Sequence, residues 1–161
     1  MTTAHKVGET TFTTPSDREI VITRVVDAPR GLVFDAMTNP EHVPHWFGLR
    51  SFTLPVCEID LRPGGAWRYV MRSADGTDMG MSGVYQEVLP PERLVSTESF
   101  DDYPGESLNT VVLTEEDGKT TITVTVLYES KEIRDAVVAS GMQDGAAETY
   151  DRLAEYLMGL D

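Results

Sequence analysis

Residues 119–128, KTTITVTVLY, and the later run 141–160, GMQDGAAETYDRLAEYLMGL, decide the architecture of this chain. In the first run Ile122, Val124, Val126 and Tyr128 share one face of a strand, while Thr121, Thr123 and Thr125 share the other. Alternation of this kind means that one face packs inward and the other meets water. In the second run Met142, Ala146, Thr149, Tyr150, Leu153, Tyr156, Leu157 and Leu160 recur every three or four positions. That spacing predicts an amphipathic helix of about 18 residues, roughly 27 Å long. A short helical piece over 131–139 leads into it.

Working back from there, the chain is strand after strand. Segments 108–115, 93–100, 79–89, 66–73 and 53–61 are separated by turn signals: Asp117-Gly118, Pro90-Pro91, Asp75-Gly76 and Pro63-Gly64-Gly65. Asp60 and Arg62 are expected to fix the last of these turns by hydrogen bonds. Before them, Ile20, Ile22 and Val26, with Val21 and Val25 opposite, read as a strand over 19–26 buried on both faces. Two short helices follow. Leu32, Val33, Ala36 and Met37 share one face of the first, which Pro29 opens and Asn39-Pro40 stops; the second covers 41–47. Residues 1–16, threonine-rich and without apolar pattern, read as a tail or a loosely attached first strand. Residues 17–161 then form one domain.

This order has a physical consequence. A long antiparallel sheet with one apolar face must bury that face, and the long helix is the element available to it. A helix about 10 Å wide cannot cover seven strands lying flat. The sheet must curl round the helix, which leaves space between them.

Composition narrows the function. With 13 basic and 27 acidic side chains among 161 residues the net charge is −14. Long-range attraction to nucleic acid or to an anionic membrane is therefore disfavoured. No apolar run approaches the ~20 residues of a membrane helix. The first fifteen residues lack the apolar core of a secretory signal. Cys57 is the single cysteine and is expected to be a buried, inert thiol. A cytoplasmic protein is the expectation. The seven acids between Leu94 and Gly118 read mainly as solvated loops. Nucleophile elbow, phosphate loop, zinc signature and dinucleotide fingerprint are all missing from the sequence.

The runs DLRPGGAWRYVMRSADG (60–76), GVYQEVLPPERLVSTESFDDYPG (83–105) and GMQDGAAETYDRLAEYL (141–157) resemble the START-like superfamily. This superfamily is also called SRPBCC or birch-pollen-allergen-like and has the helix-grip fold. Within it, the similarity is to the bacterial branch named after activators of the heat-shock-protein-ninety ATPase. It spans about residues 18–160. The resemblance implies an α+β, helix-grip fold: a curved seven-stranded antiparallel sheet around a long C-terminal helix, with two short helices after the first strand. It implies a cavity for a small, mainly apolar ligand, aromatic polyketide-like or lipid-like, and no cofactor.

Carried onto this sequence, the resemblance sends Trp67, Tyr69 and Met71 to the concave face, with Met79, Met81, Tyr85 and Phe100 as neighbours. Trp46 and Phe47 would sit near the mouth with Phe34 behind them. Met142, Ala146, Tyr150 and Leu153 would form the lid. Glu98 is the informative polar position. It alternates with Leu94, Ser96 and Phe100, so it faces inward if they do, and a desolvated carboxylate titrates high. The alternatives are a solvated Glu98 or an ion pair with Arg68 or Arg72. Candidate acids or bases for a cyclase or dehydratase are Glu98, Tyr69 and His45. His42 and His45, three apart, lack a signposted third ligand, so no metal is expected. A chaperone partner is the other reading that the branch name implies, and a homodimer stays open.

Overall fold

The computed structural model describes residues 4–160. Nine strands form one antiparallel sheet: β1 (Ala4–Val7), β2 (Thr10–Thr13), β3 (Glu19–Val26), β4 (Thr53–Ile59), β5 (Ala66–Arg72), β6 (Asp78–Leu89), β7 (Arg93–Phe100), β8 (Ser107–Glu116) and β9 (Lys119–Leu127). Their order across the sheet is β1-β2-β3-β9-β8-β7-β6-β5-β4. Helix α1 (Arg30–Thr38) follows β3, and α2 (Lys131–Ala139) and α3 (Met142–Met158) close the chain.

The count of seven strands is corrected to nine. Residues 4–13, inside the segment read as a tail, form a hairpin that turns at Gly8 and pairs through β2 with β3. Threonine favours strands, and Phe12 is the one fully buried apolar side chain there, with Val7 partly covered, so apolar patterning alone passes over the hairpin. The reading of β3 as buried on both faces is also corrected. Ile20, Ile22, Arg24 and Val26 are buried, whereas Val25 is 53% exposed on the other face. Instead of a second helix, the segment 41–47 contains a single 3-10 turn, Val43–His45, with Pro44 inside it.

The other segments follow the sequence. In β9 the residues Ile122, Val124 and Val126 are buried and the intervening threonines are not fully so. Asp117 and Gly118 both take positive φ in the two-residue turn that joins β8 to β9. Ser130 caps α2 by accepting from the Ile133 N–H at 3.2 Å. Gly141, with φ +81°, separates α2 from α3 in a backbone region that L side chains rarely adopt. Arg62 donates to both Asp60 oxygens at 3.0 Å, which fixes the β4–β5 turn as the sequence leads one to expect.

Helix α3 lies on the inward face. Its Leu153 and Leu157 are fully buried in the same cluster as Ile20, Ile22, Ile122 and Val124. Buried side chains of this size contribute roughly 1.5–3 kcal/mol each, so this seam anchors the helix. Arg24 extends from β3 to α3, where it pairs with Asp151, and donates to Thr10 Oγ1 of β2 at 3.3 Å. Helix, sheet and amino-terminal hairpin are thus joined through one guanidinium.

Candidate functional site: the inward face of the sheet

Register determines which side chains face α3. Ile22, Val124, Val111 and Leu94 are successive cross-strand partners. They share a face with the buried core, so Leu94, Ser96, Glu98 and Phe100 all point inward. Phe100 pairs with Met81, Met81 with Tyr69, and Tyr69 with Cys57. Trp67, Tyr69 and Met71 therefore face the same way, as the sequence implied. Met81, Tyr85, Trp67 and Tyr69 are buried, while Met71 and Phe100 keep some accessible surface.

The inward face is unevenly filled. Over β3 and β9 the inward aliphatic side chains are buried outright. Over β7 and the first half of β8, Leu94, Ser96, Glu98, Phe100, Asn109 and Val111 are all only partly buried. Inward-facing side chains with accessible surface border space that no protein atom fills. At this end of the sheet a hollow of about 280 Å³ is lined chiefly from the outward face, by the cross-strand partners Thr97, Leu108 and Leu127, and also by Ser107 and Tyr128. A larger groove of about 510 Å³ lies on the outward face, where Glu58, Arg68, Ser82 and Ser99 line up across β4 to β7. Neither is the space beneath the helix.

Glu98 lies on the inward face and, among the described residues, has no hydrogen-bond or ionic partner. Burial pushes its carboxyl up to about 7. Arg68 instead pairs with Asp101 at 2.7 Å, and Arg72 with Asp78 at 2.7 Å, both on the outside. Neither ion pair offered by the sequence to Glu98 forms, and its side chain is partly buried on the inward face. Burial holds the Tyr69, Tyr128 and Tyr150 hydroxyls well above their usual range, and the Glu98 charge adds to that shift. Burial likewise raises Tyr85 and pushes the Cys57 thiol up to about 11. Cys57 is half-buried, not enclosed, but it stays protonated at neutral pH.

Aromatic side chains wall the other side. Phe47 meets Tyr69 edge-on with centroids 4.9 Å apart, and Trp67 lies 4.8 Å from Tyr69. Trp46 is tied into the core, its indole donating to the Ala36 carbonyl at 2.9 Å, and Phe34 is buried in the same cluster. The loop that carries Phe47 is held from α3. Arg152 donates to the carbonyls of Phe47, Gly48 and Leu49 at 3.2, 2.9 and 3.1 Å, and to that of His45 at 3.1 Å. On α3, Tyr150, Met142 and Ala146 pack partly buried against the core, and neighbouring Ala147 is the fully covered small residue.

The histidines lie elsewhere. His42 bridges Tyr156 Oη at 2.6 Å and Asp35 Oδ2 at 3.1 Å, and His45 stacks on Tyr156 at 5.3 Å. His45 is therefore separated from Glu98 and Tyr69 by its own cluster between α1 and α3. Tyr128, Ser107 and Asn109 are inward residues absent from the expected set. Tyr128 was within reach of the strand alternation, while Ser107 and Asn109 required the β7–β8 register.

The sequence pattern of the family described as "Activator of Hsp90 ATPase homolog 1-like protein" matches residues 27–158. The chain belongs to this family. A crystal structure of a protein from Rhodobacter sphaeroides is 30% identical, covering 94% of this chain and 99% of its own, with a TM-score of 0.90. A protein from Nitrosomonas europaea, 24% identical over 91% of this chain and 97% of its own, shares the fold with a TM-score of 0.82. DynU16, from the dynemicin biosynthetic locus, is 26% identical with a TM-score of 0.69; the match covers 89% of this chain and 48% of that one. No curated protein matches the chain. The START-like membership and the α+β architecture that the three motifs implied both stand.

Proposed function

We propose that this family member binds a small, mainly apolar molecule between the inward sheet face and α3. The observation that carries this reading is the uneven filling of the inward face. The β3–β9 side is packed, and the β7–β8 side presents partly uncovered Leu94, Ser96, Phe100 and Val111 opposite a wall of aromatics. Apolar surface facing unfilled space gains free energy when a ligand covers it. The fold class typically takes hydrophobic ligands, and the likeness to DynU16, from a biosynthetic locus, supports a small-molecule role.

The test uses Nile red, a neutral apolar dye that brightens and shifts to the blue when buried. Wild type is expected to bind it. Ser96→Trp places an indole into the space between Tyr85 and Asn109, the cross-strand neighbours of Ser96, and is expected to abolish binding while circular dichroism stays unchanged. Equal dye binding by wild type and Ser96→Trp refutes the location. No binding by wild type refutes the reading.

A catalytic role in the same space is the second reading. It is favoured by Glu98, whose carboxyl, pushed up to about 7, is suited to proton transfer at neutral pH. A turnover that Glu98→Gln leaves untouched removes Glu98 from that account.

A further inference from the structure

We propose that the occupant of this interior is a cationic amphiphile, an apolar body bearing one protonated amine that seats against the Glu98 carboxylate among the rings of Tyr69, Tyr128 and Tyr150. The inference rests on the reading above and adds the sign of the ligand's charge.

Among the described residues no side chain donates a hydrogen bond to Glu98 and no arginine or lysine pairs with it. Arg24, Arg68 and Arg72 are engaged with Asp151, Asp101 and Asp78, and Arg152 is spread over four backbone carbonyls. The groups facing Glu98 are Ser107 from β8, Tyr69 from β5, Tyr128 after β9 and Tyr150 from α3, and Cys57 from β4 and Tyr85 from β6 share the same inward face. None is a cation. Arg18 lines the hollow at that end of the outward face, together with Glu106 and Glu129.

An interior built this way discriminates by charge. A buried carboxylate without a counter-ion either takes up a proton or awaits a cation. A fatty acid or other anionic amphiphile brings a second negative charge beside the first. A neutral alcohol leaves the carboxyl protonated and gains one ordinary hydrogen bond. An ammonium supplies the missing charge, and the electron-rich faces of tyrosines attract it further.

Three probes that share one body separate these cases: 2-(2-naphthyl)ethylamine, 2-(2-naphthyl)ethanol and 2-naphthylacetate, titrated calorimetrically at pH 8. The amine is expected to bind at least about ten-fold more tightly than the alcohol, with the carboxylate weakest, a ratio equivalent to about 1.4 kcal/mol. Glu98→Gln is expected to erase the advantage of the amine over the alcohol. Wild type at pH 5, where Glu98 is protonated, is expected to lose most of it without any substitution. An alcohol or carboxylate that binds wild type as tightly as the amine overturns the proposal, as does an amine preference that survives in Glu98→Gln. Nile red binding with no response to any of the three also overturns it and leaves the cavity reading standing. Failure of Nile red as well brings down that reading.

Discussion

The indole N–H of Trp67 donates to the Thr97 carbonyl at 3.2 Å, reaching from β5 across β6 to β7, and it does so over Gly83. A Cβ at position 83 would stand 1.8 Å from that carbonyl oxygen and 2.5 Å from the indole nitrogen. Backbone cannot yield to such an overlap without displacing a strand. Gly83→Ala is therefore expected to destabilise the fold by about 1–3 kcal/mol, the usual range for overpacking. Urea denaturation checks it. A midpoint unchanged from wild type contradicts the close approach.

Glu98 makes stability depend on pH in a direction opposite to that of a salt-bridged acid. Its folded value is about 7, against about 4.3 for an unperturbed glutamate. Between these values the native state holds a proton that the unfolded chain has released, so unfolding free energy falls as pH rises. The contribution is fully present below about pH 4 and is lost as pH passes through 7. Its size is on the order of 3–4 kcal/mol. Urea melts of wild type and Glu98→Gln from pH 4.5 to 8 isolate this group, since all others titrate in both. Parallel stability curves for the two proteins count against a buried, unpaired Glu98.

Arg152 fastens the segment that presents Phe47 to the interior. Hydrogen bonds from a charged donor are worth about 1.5–3 kcal/mol. Arg152→Met keeps the packing of the stem and deletes the donors to four carbonyls. It is expected to cost about 2–3 kcal/mol, and Arg152→Lys is expected to recover only a minor part because an ammonium cannot span the same carbonyls. Hydrogen exchange at residues 45–49 should accelerate in both variants. Unaltered exchange there rules out the clamp.

Arg24 and Asp151 differ in burial, the arginine side chain being 9% exposed and the aspartate 44%. Removing the acid leaves a buried guanidinium unpaired, whereas replacing the arginine by an apolar residue relieves that burden. Asp151→Ala is therefore expected to destabilise more than Arg24→Met, by roughly 1–2 kcal/mol after solvent screening of the exposed partner. Equal losses in the two variants argue against this asymmetry.

How much of this was legible in the sequence depended on the kind of signal. Strict alternation in β9 and the three-to-four spacing in α3 disclosed the sheet and its helix, because burial on one face leaves a periodic trace. The β1–β2 hairpin left almost none, since Phe12 is its one deeply buried large side chain. Residue parity placed Glu98 with Leu94 and Phe100, but it could not orient the strand. Pairing of Leu94 with Val111, and of Val111 with Val124, does that. The role of Arg152 was invisible for a different reason: its acceptors are backbone carbonyls, which carry no residue identity.

The amino-terminal hairpin also changes what the sheet offers to other chains. Without it, β3, with five isoleucines and valines among its eight residues, would be an open edge, the kind of border onto which a second strand readily adds. With it, one border is the four-residue β1, which carries Lys6. The opposite border is β4, interrupted by Pro55 and a register shift between Thr53 and Val56. Both are poor templates for intermolecular pairing. The ten residues from Ala4 to Thr13 thus cover the β3 edge, and a chain lacking them is expected to scatter light on heating well before the intact protein does.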